Sequence, residues 1–255
     1  MKKFSWYYKF IIYNLKKKIN IDKTHLNYNS LDNLFNYFGS DKGTKVKNPY
    51  NKNSNEIFGH GFAKFYQDKF QTFQKKKFNL LEIGTWEGAS LVSFLKYFEN
   101  AIIFGLDRNF KLKYKSKRLK YFNCDTTNND DLNIFKNRNK RVKFKIIIDD
   151  GSHLLSDIIH NMKFFSKFLD QDSYYVIEDY NHPKYYNYLN DTNGNEILVE
   201  EIINKLKNKI YFNSSILNKN DQAFLHERIE KIDVYTGSMI EAGKNISNIA
   251  FFKFK

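Results

Sequence analysis

Cysteine and proline are scarce in this chain, which contains 1 cysteine and 2 prolines among 255 residues. The single cysteine, Cys124, cannot form an intrachain disulfide, so a disulfide-stabilised secreted scaffold is excluded and a reducing cytoplasm is expected. No apolar run approaches the roughly 20 residues that a membrane-spanning helix needs. Lys9 interrupts the short apolar run near the N-terminus, and no small-residue cleavage site follows it. These absences predict a cytoplasmic protein with neither a signal peptide nor a transmembrane segment.

Positive charge is abundant by contrast, because 42 Lys and Arg residues face 28 Asp and Glu, a net charge of +14. One explanation is compositional drift on solvated faces, since Lys, Asn, Ile, Phe and Tyr are frequent together, as in proteins of AT-rich genomes. The other is attraction of an anionic substrate, because a positive surface raises the association rate of anions. No arginine-rich tract or RNA-binding motif is present, so a nucleic-acid partner is not expected.

The hydrophobic pattern changes near Phe78, where apolar strands begin to alternate with amphipathic helices, as in βαβ units. We predict an α/β catalytic domain over residues 78–255 and an N-terminal helical or lid extension over residues 1–77. The basic start of that extension fits a helix packed on the domain or on a partner subunit better than one on a membrane surface. The predicted strands are residues 79–83, 102–106, 120–123, 144–148, 174–177, 232–235 and 249–254. An aromatic helix is predicted before them at residues 60–73, and a later helix at residues 196–209.

The most informative segment follows the predicted fourth strand and contains Asp149, Asp150 and His153. A second acidic pair, Glu178 and Asp179, ends the next predicted strand. In open α/β sheets, ligands bind at the carboxyl ends of the strands. Carboxylates crowded there repel one another unless a cation lies between them. The pattern therefore predicts a hard metal ion at this edge of the sheet.

Acidic residues also end the first three predicted strands. Glu82 precedes a turn with Gly84 and Gly88, which is looser than a dinucleotide fingerprint and suits an amino-acid tail and a sulfonium. Asp107 is placed to accept two ribose hydroxyls, and Asp125 to accept an adenine amino group. The alternative for Glu82 and Asp107 is that they are helix N-cap carboxylates. As a set, the three acids predict a nucleoside cofactor.

This series resembles the class I S-adenosylmethionine-dependent methyltransferases. More narrowly, it resembles the metal-dependent sugar O-methyltransferases of the macrocin and mycinamicin type, which are grouped with cephalosporin-hydroxylase-like proteins. The resemblance covers about residues 39–179 and rests on the two acidic segments, on residues 39–42 (Gly-Ser-Asp-Lys) and on the spaced aromatic pattern after His60. It implies a Rossmann-like fold with a mostly parallel seven-stranded sheet and helices on both faces. The short cofactor turn departs from the longer glycine-rich version in several relatives.

The resemblance also implies roles for individual residues. It assigns Mg²⁺ to Asp150, Glu178 and Asp179, and the catalytic base to His153, whose simpler alternative is a helix cap. S-adenosylmethionine would contact Glu82, Gly84, Gly88, Ser90, Asp107, Asp125, Asp149 and Lys42, with a supporting position as the alternative for Asp149. Candidates for the acceptor pocket are His60, Tyr66 and His182, for which aromatic packing or a plain loop position is the alternative.

The chemistry expected of such a site depends on the acidity of the acceptor hydroxyl. A sugar hydroxyl is a very weak acid, and a sulfonium methyl reacts far more readily with an alkoxide. A metal lowers the pKa of bound water from ~15.7 to ~7 when it is zinc, and magnesium does less. An imidazole, with a pKa near ~6.5, then accepts the proton at neutral pH.

We therefore expect Mg²⁺-dependent methyl transfer from S-adenosylmethionine to a sugar hydroxyl. The small-molecule acceptor is expected to be anionic or nucleotide-linked, such as a heptose precursor of a capsule or other surface polysaccharide. The sequence is also compatible with a homo-oligomer. The alternatives are a methyltransferase acting on a phosphoramidate-type group, a small aromatic or RNA, and a cofactor-binding protein with an inactive site.

Overall fold

A central sheet of seven strands organises the protein, whose computed structural model describes residues 10–46, 57 and 59–255. The predictions that fall on residues 1–9 and 47–56 lie outside the described residues. In chain order the strands are β1 (Asn79–Ile83), β2 (Ile102–Asp107), β3 (Leu119–Asn123), β4 (Phe144–Asp149), β5 (Leu169–Glu178), β6 (Ile229–Thr236) and β7 (Asn248–Phe254).

The strands lie in the order β3-β2-β1-β4-β5-β7-β6. The pairs among β1 to β5 are parallel, and β7 is antiparallel to both β5 and β6. This confirms the predicted mostly parallel sheet of seven strands, and each strand is present at its predicted place. Because β1 to β5 are parallel, their carboxyl ends lie along one edge of the sheet, which we call the carboxyl edge.

Helices cover both faces of the sheet. They are α1 (Leu31–Phe38), α2 (Ala63–Phe70), α3 (Ala89–Tyr97), α4 (Asn129–Arg138), α5 (Leu155–Phe165), α6 (His182–Tyr185), α7 (Val199–Lys207) and α8 (Lys219–Arg228). Residues 10–15 are also helical, and short two-stranded ribbons pair Ile19–Asn20 with Tyr114–Lys115 and Ile240–Glu241 with Lys244–Asn245. No helix of the described residues is long and apolar enough to cross a membrane.

Two predicted helices are shorter than expected. The helix predicted at residues 60–73 begins only at Ala63, because Gly61 has a positive φ of 68° that a helix does not allow. The helix predicted at residues 196–209 begins at Val199, and the Glu196 side chain instead accepts hydrogen bonds from the backbone of Ser215 and Ile216.

The N-terminal residues pack on α3 and on the sheet through aromatic side chains. The Phe35 and Phe94 rings lie 5.3 Å apart, and the Tyr66 ring lies 5.5 Å from that of Phe251 on β7. Each buried ring of this size stabilises the fold by roughly 1.5–3 kcal/mol relative to an exposed one. This packing brings the loop around Lys42, which connects α1 to the segment before α2, to the carboxyl edge.

Candidate functional site

A cavity of about 600 Å³ opens at the carboxyl edge of the sheet. Its volume falls within the range of roughly 300–1,000 Å³ that is usual for small-molecule sites. The walls come from the loops after β1 to β5, from the loop around Lys42 and from the segment before β7. Predicted site residues among its lining are Lys42, His60, Gly84, Ser90, Asp107, Asp125, Asp150, His153, Asp179 and His182.

Asp107 forms the floor of one half of the cavity, which we call the cofactor half and which comprises the ends of β1 to β3. Its Oδ2 accepts a hydrogen bond from the backbone N–H of Trp86 at 2.8 Å, and its Oδ1 accepts one from Asn109 at 2.7 Å. Each carboxylate oxygen has a further lone pair, so Asp107 can still accept hydroxyl protons from a ligand. Asp125 also lines this half, where its Oδ1 accepts from the Thr127 hydroxyl at 2.8 Å.

Glu82 lies beneath the cavity wall, with 0% of its surface exposed. The hydroxyl of Ser90, which does line the cavity, donates to Glu82 Oε2 at 2.7 Å. Burial raises the pKa of Glu82 to about 7, although Lys42 and Ser90 oppose that rise. Its other oxygen, Oε1, is buried without a hydrogen bond, at 3.5 Å from Lys42 Nζ. Glu82 therefore does not act as a helix cap. It connects Ser90 in the cofactor half of the cavity to Lys42 in the other half.

Gly84 is required by the packing of two loops. Its φ is 84°, and a Cβ at this position would lie 1.9 Å from the carbonyl oxygen of Asp150. Gly88, with φ of 92°, begins α3 and would place a Cβ 2.3 Å from Leu112. Both glycines thus shape the turn, and direct contact of either with a cofactor stays a prediction.

Asp149 points away from the cavity, under the sheet. Its carboxylate accepts hydrogen bonds from Asn161 at 3.2 Å and from the Tyr175 hydroxyl at 3.3 Å. Burial raises its pKa to about 7. Because successive residues of a strand point to opposite faces, Asp150 faces the cavity while Asp149 supports α5. The structure places it in the supporting position that the sequence left as an alternative.

Lys42 is the central cation of the other half of the cavity. Its side chain is 1% exposed, and its Nζ contacts Asp150 Oδ2 and lies 2.8 Å from Glu178 Oε2. Although burial would lower the pKa of Lys42, the neighbouring carboxylates raise it well above its ordinary value. We call the set of Lys42, Asp150, Glu178, Tyr66, His60 and Asp179 the charge network.

Glu178 has both of its carboxylate oxygens engaged in this network. Oε2 pairs with Lys42, and Oε1 accepts a hydrogen bond from the hydroxyl of Tyr66. Burial raises the pKa of Glu178 well above its ordinary value. Tyr66, predicted for the acceptor pocket, is instead 0% exposed and does not line the cavity.

Asp179 lies at the end of β5 between two imidazoles. Its Oδ1 is 3.3 Å from His60 Nδ1 and 3.7 Å from His182 Nε2. Burial works against ionisation of Asp179, but the charge and hydrogen bond of His60 lower its pKa to about 2. In the same way, Asp179 overcomes the effect of burial on His60 and raises the pKa of that imidazole to about 9. His60 is thus a cation at neutral pH, held also by Ser247 Oγ at 2.8 Å.

His153 faces the cavity beside Asp150, with its Nε2 3.7 Å from Asp150 Oδ1 and 23% of its side chain exposed. Burial lowers its pKa, so the imidazole is neutral at pH 7 and carries a free lone pair. His182 is neutral as well, because burial lowers its pKa to about 4. The two rings lie 5.0 Å apart, edge to face.

Three of the seven non-glycine residues with positive φ in the described part of the chain line this cavity. Trp86, His153 and Asp179 have φ values of 47°, 57° and 51°, in the left-handed region that non-glycine residues rarely adopt. Such strain persists where the surrounding structure enforces it, and it clusters at functional sites. All three residues lie in loops that follow strands of the sheet and line the cavity.

Several cavity-lining residues were not identified from the sequence. Tyr186 donates a hydrogen bond to Glu241, and this contact joins the segment after α6 to the short ribbon before β7. Met239, Ile246 and the exposed Tyr188 line the same end. No local sequence pattern marks them.

Part of the chain is similar in sequence to known proteins, and most of it is similar in fold. No family model matches the chain. It is 28% identical over 129 residues to mycinamicin VI 2''-O-methyltransferase of Micromonospora griseorubida, a match that covers 48% of this chain and 32% of that protein. It is also 28% identical over 127 residues to demethylmacrocin O-methyltransferase of Streptomyces fradiae, covering 47% and 32%. The chain thus covers about a third of the length of either curated relative.

The solved structures include the MycE methyltransferase of the mycinamycin biosynthetic pathway, in complex with Mg and SAH. It superposes with a TM-score of 0.65 at 20% identity, over 89% of this chain and 55% of MycE. A second MycE structure, which also contains mycinamycin VI, gives a TM-score of 0.63 at 18% identity. The chain has the class I methyltransferase fold. The resemblance to macrocin and mycinamicin O-methyltransferases is confirmed in both sequence and fold.

Proposed function

We propose that this chain transfers a methyl group from S-adenosylmethionine to a sugar hydroxyl and requires Mg²⁺ to do so. The observation that carries the proposal is one cavity, in the fold of MycE, where the cofactor half adjoins a neutral histidine and two carboxylates. The relatives methylate oxygen atoms, by their names, and MycE was solved with Mg and SAH.

The cofactor half fits an adenosyl group with an amino-acid tail. Asp107 would accept the ribose hydroxyls, and Asp125 the adenine amino group. The Trp86 ring, 49% exposed at the cavity, offers a flat surface beside them. Ser90, backed by Glu82, would bind the amino-acid tail at the end of β1.

Mg²⁺ fits the other half of the cavity, around Asp150 and Asp179, because this ion binds proteins through one or two carboxylates and keeps several waters. Lys42 contacts the other oxygen of Asp150, so Asp150 Oδ1 would supply one ligand, and Asp179 Oδ1, between His60 and His182, would supply the second. Glu178, the third predicted ligand, is held by Lys42 and Tyr66 and fixes the lysine in place. The bound ion would supply Lewis acidity to the acceptor hydroxyl.

His153 would take the proton from that hydroxyl. Its neutral ring faces the cavity at the side of Asp150, where an acceptor oxygen would reach both groups. The loop geometry at His153 and the walls around it would hold the acceptor in line with the methyl carbon, at a distance of roughly 3–3.5 Å.

The finer identity of the acceptor rests on charge alone. The net charge of +14 supports an anionic sugar, such as a nucleotide-linked heptose destined for a surface polysaccharide. Arg108 lines the cavity next to Asp107 and adds positive charge at that rim. A screen of nucleotide sugars and neutral glycosides, with mass spectrometry to detect the added methyl group, tests this choice.

Chelation tests the metal. EDTA should abolish methyl transfer, and added Mg²⁺ should restore it. Activity that is insensitive to EDTA would contradict the metal requirement, and failure of S-adenosylhomocysteine to bind would contradict the proposed function as a whole.

Replacement of the base gives a second test. His153→Ala should leave S-adenosylhomocysteine affinity unchanged and reduce turnover by about 10²–10⁴-fold, the usual contribution of a general base. Because burial lowers the pKa of His153, the midpoint of the rise of wild-type turnover with pH should lie below the ordinary imidazole value of ~6.5. His160→Ala, on an exposed part of α5, is the control. Near-normal turnover of His153→Ala would remove it as the base.

A further inference from the structure

The helix at residues 10–15 has one side that is apolar and exposed. Ile11, Ile12 and Leu15 have 53%, 36% and 79% of their surfaces exposed. With about 3.6 residues per turn, these three positions share one side of the helix. Ile19, which begins the short ribbon that follows, is also exposed. Single aliphatic residues are ordinary on a protein surface, whereas a group of them marks an interaction surface.

The opposite side of this helix holds it on the domain. Tyr13 is buried, and its ring lies 5.4 Å from that of Phe110 and 6.0 Å from that of Tyr121 on β3. The ring of Phe10 also contacts Phe110, at a distance of 5.6 Å. The packing on the domain that the sequence favours therefore uses one side of the helix and leaves the aliphatic side exposed.

Lysine side chains adjoin the aliphatic side. The ribbon pairs Ile19–Asn20 with Tyr114–Lys115, which brings together two lysine-rich segments, residues 16–23 and 111–118. A groove beside the ribbon is lined by Lys17, Lys18, Ile19, Asn20, Lys23 and Lys115. Its described lining contains lysines and no carboxylate, so the groove is strongly positive.

The charges of this groove are not balanced from within the described part of the chain. Asp22, the acid of the two segments, accepts hydrogen bonds from the Ser116 hydroxyl at 2.6 Å and from the backbone of Lys117 at 2.9 Å. Burial and the neighbouring charge of Lys115 lower the pKa of Lys18. Ammonium groups held together in this way attract an anionic partner.

We propose that this N-terminal surface, which comprises Ile11, Ile12, Leu15 and Ile19 with Lys16, Lys17, Lys18, Lys23 and Lys115, docks on a membrane that contains anionic lipid. The aliphatic side chains would enter the boundary between headgroups and acyl chains, where amphipathic helices lie at a depth of roughly 5–10 Å. The lysines would lie among the lipid phosphates, whose negative potential attracts them. Apolar contact and charge are the two contributions on which such binding depends.

A second copy of the chain fits this surface less well. Contact of two identical surfaces about a twofold axis would bring the lysines of both copies together, and like charges repel across an interface. An anionic membrane complements both the charge and the aliphatic side. The docked surface would lie beside the cavity, because the N–H of Lys113 in the ribbon segment donates to the carbonyl of Glu87, which lines the cavity, at 3.1 Å.

Sedimentation of the full chain with lipid vesicles tests the proposal. Vesicles of equal parts phosphatidylcholine and phosphatidylglycerol should bind the wild type at least about tenfold more tightly than phosphatidylcholine alone. Added salt should weaken that binding, because it screens exposed charges. Combining Ile11→Ser with Leu15→Ser should weaken it by at least about tenfold, since apolar burial is lost.

A second variant and two controls separate charge from apolar contact. Combining Lys16→Glu with Lys17→Glu retains the aliphatic side and should weaken binding to the anionic vesicles by at least about fivefold per lysine. Ile134→Ser and Lys136→Glu change an exposed aliphatic residue and an exposed lysine on α4. Phe135 of α4 packs in a different hydrophobic cluster from Tyr13, so both controls should bind as the wild type does.

Three results would overturn the proposal. The first is failure of the wild type to bind the anionic vesicles, and the second is unchanged binding after the paired serine substitutions, which would mean that charge alone attracts the chain. The third is self-association in analytical ultracentrifugation that the serine substitutions abolish, without vesicle binding, which would assign the surface to a second copy. If the serine variant does not fold, unchanged binding of the glutamate variant contradicts the proposal instead. Vesicle binding uses neither cofactor nor acceptor, so these outcomes are distinct from failure of methyl transfer.

Discussion

The cofactor half and the charge network lie side by side in one cavity, yet they are built over different distances along the chain. In the cofactor half, Asp107 bonds to groups 2 and 21 residues away, and Ser90 bonds to Glu82 across 8 residues. In the charge network, Lys42 reaches Asp150 across 108 residues and Glu178 across 136. The first is a local turn structure, and the second exists only in the folded protein.

This difference has an energetic consequence. Asp107 and Asp125 of the cofactor half accept hydrogen bonds from neighbouring backbone and hydroxyl groups, so each is satisfied separately. The buried carboxylates of the charge network depend on one ammonium and one imidazolium, Lys42 and His60. Removing one partner of a buried ion pair leaves an uncompensated charge, which costs far more than losing an exposed pair. The charge network should therefore be cooperative and fragile.

The largest expected effect is that of Lys42→Met. It removes the ammonium among three carboxylates and should lower the free energy of unfolding by about 3–5 kcal/mol. The loss should be larger at pH 8 than at pH 6. The buried carboxyl groups have raised pKa values, so at the lower pH they bind protons in the folded variant and lose the charge that Lys42 no longer balances. Chemical denaturation at both pH values measures it.

The control for that variant is Lys69→Met. Lys69 pairs with Asp233 at 2.7 Å, but both side chains are about one-fifth exposed, at 20% and 22%. Its loss should cost no more than about 1 kcal/mol. Equal destabilisation by the two substitutions would mean that burial does not distinguish the charge network.

A smaller effect is expected from His60→Gln, and it should depend on pH. The pKa of His60 is about 9 in the folded protein and ~6.5 in an unfolded chain. Its charged form therefore stabilises the fold fully below pH ~6.5, and this contribution disappears as the pH rises through about 9. In EDTA, the wild type should exceed His60→Gln by roughly 2–3 kcal/mol at pH 6 and converge with it above pH 9. A difference that is constant with pH would contradict the ion pair with Asp179.

The smallest effect is expected in the cofactor half. Asp107→Asn should weaken S-adenosylhomocysteine binding by about tenfold, near 1.4 kcal/mol, because charge-assisted hydrogen bonds to the ribose are lost. Its melting temperature should change little, since the turn keeps other hydrogen bonds. Isothermal titration calorimetry measures the affinity, and Asp172→Asn, on an exposed part of β5 outside the cavity, is the control. Unchanged affinity would exclude Asp107 from the binding of the cofactor.

The sheet could be predicted closely because its signals are local. The apolar run of β4 ends at Asp149, and the run of β5 ends at Glu178, so hydrophobic pattern alone locates both strand ends. Helices with weaker patterns were not identified. α4 is mostly polar, although Asn128 caps it and acidic residues occupy its first turn, which are recognisable start signals.

The candidate site was predictable only in part. Asp150, His153 and Asp107 all line the cavity, and their roles stay predictions. Tyr66 did not reach the cavity, because the packing of α2 against β7 turns its hydroxyl to Glu178 beneath the wall. The partners of Lys42 could not be inferred, since no sequence rule states which strand ends a distant loop will meet.

The sequence by itself determined that parallel strands would bring a row of acids to one edge, because strand period and chain direction are properties of the local pattern. Only the tertiary structure decided how those acids are neutralised. Burial is a property of the folded protein, and it makes Lys42 and His60 obligatory partners of carboxylates that are far away in the chain. The same packing leaves His182 Nε2 without a hydrogen-bond partner, 3.7 Å from Asp179 Oδ1.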